Sequence, residues 1–195
     1  MSLLERIAEA DERGLAASAL ACLERCLPPA AADGGGGESE PLRPLWASCA
    51  DGRAWTDRLD AARAAMADVD ETGSPVPEML GSAPADWSAD PLREWARTCS
   101  LLSLDFHRRF DMSVGGDAAE DPAGQLERWS SGDVGGAGPL VAGELRRQTE
   151  ILEALAEASE PAAAGASGLR GALERSTEGR RVLRAVISRR ARGRS

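Results

Sequence analysis

The chain has 195 residues and a formal net charge of -9, and only 4% of it is aromatic: Phe106, Phe110 and five tryptophans, with no tyrosine. That length can hold one compact domain with a sizeable core, but a core so poor in aromatics must rest on Leu, Ala and Val, which suits closely packed helices better than sheets. All 23 basic residues are arginine and there is one histidine; this excludes a Schiff-base lysine, a complete G-x-x-x-x-G-K-[ST] phosphate loop, an H-E-x-x-H zinc site and the paired Glu-x-x-His sites of di-iron bundles.

In chain order, the opening MSLLERIAEADERG carries Glu5, Glu9 and Asp11 without a positive leader, so it does not read as a secretory signal. Ser2 and Glu5 form a capping box ahead of apolar residues at Leu4, Ile7, Leu15, Leu20, Leu23 and Leu27, which predicts one helix ended by Pro28-Pro29. Within it GLAASALACL is too short to cross a bilayer, which takes about 20 residues. PPAAADGGGGESEP reads as a flexible linker over 28–41. A second helical region opens near Pro41 to Cys49 and resumes with Trp55, Leu59, Ala62, Met66 and Val69 on one face. Residues 69–88 read as a second long flexible connection, with one short turn at Glu78 to Leu80.

Asp90-Pro91 is a helix start, and Leu92, Trp95, Cys99, Leu102, Phe106 and Phe110 form a stripe behind it. Asp121-Pro122 repeats the signal for a short helix through Trp129. Pro139 starts another, on which Leu145, Gln148, Leu152 and Leu155 approximate an a/d seam, and a basic amphipathic helix over about 169–192 ends the chain. The expectation is an all-α fold, an irregular bundle of about five or six helices with long flexible loops, in a single helical domain over 1–195.

The C-terminal RRVLRAVISRRARGRS holds seven arginines and no acid; without them, the 23 basic and 32 acidic residues leave residues 1–179 at 16 against 32, a balance of -16. On a helix, Val182, Leu183, Val186 and Ile187 share one face while Arg181, Arg184, Arg189 and Arg192 lie mainly on the other. Such a helix can pack on its own acidic body, with arginines near the dipole's negative end. It can instead bind a protein partner through Arg180, Arg181, Arg184, Arg189, Arg190, Arg192 and Arg194. Nucleic acid or an anionic membrane is a third use, confined to the tail. The acidic body opposes nucleic acid within the screening length of about 8 to 10 Å, and an apolar face of barely two turns without Trp or Phe gives weak membrane affinity.

Cys22 and Cys26 stand one turn apart, a spacing that suits two zinc thiolates less well than two small buried hydrophobes, and no metal is placed there. Four cysteines without dense spacing suggest reduced thiols and a cytoplasmic protein. DFHRRFD gathers the one histidine with acids: His107 and Asp111 are i, i+4, the spacing of an acid-base pair, with Asp105 beside them. No serine or cysteine stands at a recognisable nucleophile motif to use that base. The plainer reading turns Phe106 and Phe110 to the core and leaves His107, Arg108 and Asp111 in solvent. The glycine runs GGGG and GDVGGAG follow no strand and read as loops. The tryptophans read as core wedges, with Trp87 and Trp129 the candidates for exposure.

No cofactor is implied. The functional expectation is a non-enzymatic cytoplasmic interaction module, an adaptor, regulator or small chaperone, acting through a helical surface and the basic C-terminal helix. Two alternatives stand beside it: an enzyme or metal protein with an unfamiliar site around His107, Asp105 and Asp111, and an Arg-rich tail that binds nucleic acid or anionic lipid.

Overall fold

A computed structural model of the chain describes residues 1–28, 41–67, 73–111, 121–158 and 162–192, the side chains of 162–166 and 191 excepted. Among the described residues there are nine helices and no strand: α1 (Leu3–Glu9), α2 (Glu12–Cys26), α3 (Arg43–Ser48), α4 (Trp55–Met66), α5 (Val76–Gly81), α6 (Ala89–Phe110), α7 (Pro122–Ser130), α8 (Pro139–Glu157) and α9 (Ala162–Arg192). The class is all-α as expected, with more helices than five or six. None of these helices is long and apolar enough to cross a membrane. Nearly all of the expected linker over 28–41, together with Val69 and Arg194, lies outside the described residues.

Local chemistry explains the higher count. The Ser2 capping box forms as expected, Glu5 N–H donating to Ser2 Oγ and Ser2 N–H to Glu5 Oε2. The helix it starts does not run on to Leu27, because Ala10 is extended and the Asp11 carboxylate accepts from Gly14 N–H at 2.7 Å, opening α2 as a separate helix. Asp121 caps α7 through Gly124 N–H. At α6 the cap position is Ser88, two residues earlier than Asp90, which with Pro91 occupies the first turn.

The described part of the second connection, 73–88, is built rather than loose. It contains α5, whose C-terminal end is closed by Arg63: the guanidinium donates to the carbonyls of Leu80, Gly81 and Ala83. Trp55 Nε1 donates to Pro84 O and Trp95 Nε1 to Met79 O, while Trp55 packs edge-to-face on both Trp87 and Trp95. Gly52, at φ 72°, lies flat against Trp87; a Cβ there would meet the indole at 2.7 Å, so both the backbone conformation and the close approach require glycine.

The core centres on α2. Its positions 14–17 and 19–26 are all buried, since its main neighbours α6, α8 and α9 surround it. Alanine at 16, 17, 19 and 21 lets those helices approach closely, and Leu15, Leu20 and Leu23 fill the gaps. A helix enclosed on every side must also take its charged residues inside. Glu24 and Arg25 are the consequence.

Candidate functional site

Arg25 and Glu144 meet in the middle of the bundle with no exposed side-chain surface on either. Arg25 comes from the last turn of α2 and Glu144 from the second turn of α8. The guanidinium engages the carboxylate through Nε, at 3.0 and 2.8 Å, and through Nη2 at 2.6 Å. α6 contributes Ser103 Oγ, 2.7 Å from Glu144 Oε1, and α8 itself adds Gln148 Nε2 at 2.8 Å. Ser100 Oγ donates to Gln148 Oε1, and Arg25 reaches Ser176 Oγ on α9 at 3.4 Å. Four helices thus share one polar network. Burial alone would raise the Glu144 pKa, but the Arg25 charge, then that of His107 and the hydrogen bonds, hold it well below the usual carboxylate range.

His107 belongs to this network and not to the solvent. It is 2% exposed, its Nδ1 lies 2.8 Å from Ser103 O and its Nε2 faces Glu144 Oε2 at 3.6 Å. A carbonyl oxygen only accepts, so Nδ1 carries a proton toward it. The expected partner Asp111 is elsewhere: its carboxylate accepts from the N–H groups of Leu140 and Val141, at 2.8 and 3.0 Å, capping α8 from the end of α6. Asp105 holds Arg108 and Arg109 on the α6 surface, and although burial raises its pKa, the hydrogen bonds from both arginines lower it overall. The fold therefore separates the three residues of the candidate catalytic set into a core contact, a helix cap and a surface ion pair. The expectation that His107 and Asp111 are solvated is corrected; Phe106 does face the core, and Phe110 is half-buried against it. Asp111→Ala is expected to lower stability by about 1–2 kcal/mol, read by urea unfolding, because two helix N–H groups lose their acceptor.

Cys22, Cys26, Cys49 and Cys99 are all buried free thiols. Burial pushes the Cys22 pKa up to about 12, against the opposing influence of Arg25, and pushes the other three up as well. Cys26 Sγ sits 3.5 Å from Ser103 Oγ, so these sulfurs border the polar network. Native protein at pH 8 is expected to leave a thiol reagent such as DTNB nearly unreacted, with all four sites titrating once denaturant is added. Among the described residues no group of three or more His, Cys, Asp or Glu side chains is placed to hold a metal ion.

Access to the network is narrow. The cavity that reaches it, between Cys22, Arg25, Ser100 and Gln148, measures about 10 Å³, room for one water. A wider depression of about 310 Å³ opens at the break between α1 and α2, lined by Arg6, Glu9, Asp11, Leu152 and Leu155. There Arg6 pairs with Glu153 through Nη2 at 2.5 Å and Asp11 caps α2, while Arg6 Nε is buried without a hydrogen-bond partner among the described residues. Trp129, a candidate for exposure, is 3% exposed with its Nε1 donating to Gly135 O, so the glycine-rich loop folds over it; Trp87 is half-buried.

The C-terminal helix packs on the bundle through α2, α8 and α6. Leu183 is 2% exposed and Val186 and Ile187 are half-buried, whereas Val182, expected on the same face, is 38% exposed. Its arginines divide into two groups. Arg180 is turned inward, donating to Glu24 at 2.5 Å, and Arg190 reaches back to Arg109 O at 3.4 Å. Arg184 is half-buried, while Arg181, Arg189 and Arg192 point to solvent. Gly179 explains how the helix comes so close, since a Cβ there would meet Arg25 Cδ at 2.6 Å.

Comparison of the chain with models of known families, with curated proteins and with solved structures returns no match.

Proposed function

We propose that this protein is a non-enzymatic interaction module that presents the outward face of α9 to a partner. The observation that carries the reading is the division within α9: Arg180 and Leu183 anchor the helix, while Arg181, Val182, Ala185, Ser188, Arg189 and Arg192 stand exposed along its opposite side. A basic stripe interrupted by small and apolar side chains suits a protein surface with carboxylates and apolar patches. The buried network fits a structural role, because its polar atoms are occupied with one another and its cavity admits no substrate larger than about one water. Buried free thiols favour a reducing, cytoplasmic setting.

The test is affinity capture from native-host lysate, with and without nuclease, comparing wild type with Arg181→Glu, Arg189→Glu. The variant should stay folded by circular dichroism and lose a specific protein partner that nuclease treatment leaves in place. Identical recoveries from the two proteins would overturn the reading. So would a small-molecule turnover abolished by His107→Ala.

A further inference from the structure

A partner surface for α9 is present on the molecule itself. The solvent side of α4 is made of Asp57, Asp60, Ala61 and Ala64, all exposed, over a helix whose other side buries Trp55, Leu59, Ala62 and Met66. Two carboxylates one turn apart are followed by two small residues one turn apart. The exposed end of α9 carries the matching order in reverse, Arg192 and Arg189 one turn apart, then Ala185 and Val182. At 1.5 Å per residue the stripe on α4 is about 10 Å long and that on α9 about 15 Å. Resting on the interaction reading above, we infer that α9 of one copy docks antiparallel on α4 of a second copy, with Arg192 on Asp57, Arg189 on Asp60, Ala185 against Ala64 and Val182 at the end of α4 beside Ala67.

Several features favour this occupant. Small residues on both helices permit close axial approach, and the antiparallel arrangement sets the C-terminal end of α9 against the acidic first turn of α4, as both helix dipoles require. The chain is polarised, with seven arginines in residues 180–195 and a balance of -16 in the rest. That polarity opposes a contact that sets arginine stripe on arginine stripe and favours α9 on α4. Nucleic acid fits the same stripe less well, since phosphates gain nothing from Val182 and Ala185 and meet the acidic body. Arg181, Arg189 and Arg192 make no ion pair among the described residues. Asp60 has a surface contact, Arg63 Nη1 at 3.2 Å, but Arg63 also directs N–H groups to the carbonyls that close α5 and stays in place when Asp60 changes partner.

Sedimentation equilibrium of the full chain in about 0.1 M salt tests this, at concentrations up to about 0.5 mM because one helix pair lies at the small end of interface sizes. Wild type is expected to rise with concentration from 20.4 kDa to the dimer mass or beyond and to return toward monomer at about 1 M salt. Asp57→Arg, Asp60→Arg and Arg189→Glu, Arg192→Glu should each remain monomeric alone. Mixed in equal amounts they retain one intact acidic and one intact basic face, and should give a dimer that grows no further. All four substitutions lie at exposed positions on two separate helices, so if one variant fails to fold the other still decides. A wild type that stays monomeric, or variants that assemble as it does, overturns the self-contact. If wild type stays monomeric while Arg181→Glu, Arg189→Glu still loses a captured protein, the docking face belongs to another chain and the interaction reading survives; a wild type that instead binds duplex DNA places nucleic acid there.

Discussion

Glu144→Ala is expected to lower stability by about 3–5 kcal/mol in chemical denaturation, a large part of the 5–15 kcal/mol typical of a domain. The loss arises less from the missing attraction than from what remains: Arg25, with no exposed side-chain surface, would keep its charge inside the bundle without a counter-ion. The double replacement Arg25→Met, Glu144→Met should therefore be less destabilising than either single change, because it removes the desolvation cost together with the attraction. If the double variant is the worst of the three, the pair is net stabilising and the helices were selected around it. The pH dependence has a definite sign. Glu144 has a lower pKa in the folded chain than in the unfolded one, so its contribution is complete above the unfolded carboxylate range near 4.3 and declines as pH falls below it. Wild type should lose stability through that acid window, and the double methionine variant should lose less.

Adjacent arginines on α9 are expected to behave oppositely. Arg180→Ala should cost about 2–4 kcal/mol, since Glu24, 3% exposed, loses the guanidinium that faces it inside the bundle. Arg181→Ala, one residue on but exposed, should stay within about 0.5 kcal/mol. Thermal or urea unfolding of the two variants side by side checks the contrast. Equal effects would mean that Arg180 is not held by Glu24 in solution. The same reasoning makes truncation after Gly179 unsuitable for removing only a binding stripe, because it also deletes Arg180 and the buried Leu183.

Much of the helical layout was readable from periodicity and caps. Ser2 with Glu5, Asp121 with Pro122 and the Leu145, Gln148, Leu152, Leu155 seam each state a local preference that packing does not override. The break at Ala10 is not legible in the sequence because the apolar repeat runs through it, and Asp11 reads as a surface acid until its carboxylate is seen on Gly14 N–H. The buried network was hidden for a different reason. Arg25 and Glu144 are 119 residues apart, and each resembles an ordinary charged helix residue in its own segment. Two signals pointed inward: Gln148 occupies a seam position meant for an apolar side chain, and Arg25 lies between two cysteines on a helix otherwise rich in alanine and leucine. A polar residue at a core position asks for a partner, but sequence alone does not say which distant residue supplies it.

The two buried ion pairs also bear on the order of folding. α2 forms from a local segment near the start of the chain, yet Arg25 waits for a residue 119 positions later and Glu24 for one 156 positions later. Contacts of such sequence separation are entropically costly to close and are made late. Until α8 and α9 arrive, the helix that ends most enclosed lacks Glu144 beside Arg25 and Arg180 beside Glu24. A chain that ends before residue 180 is therefore expected to pack less stably around α2 than the full one.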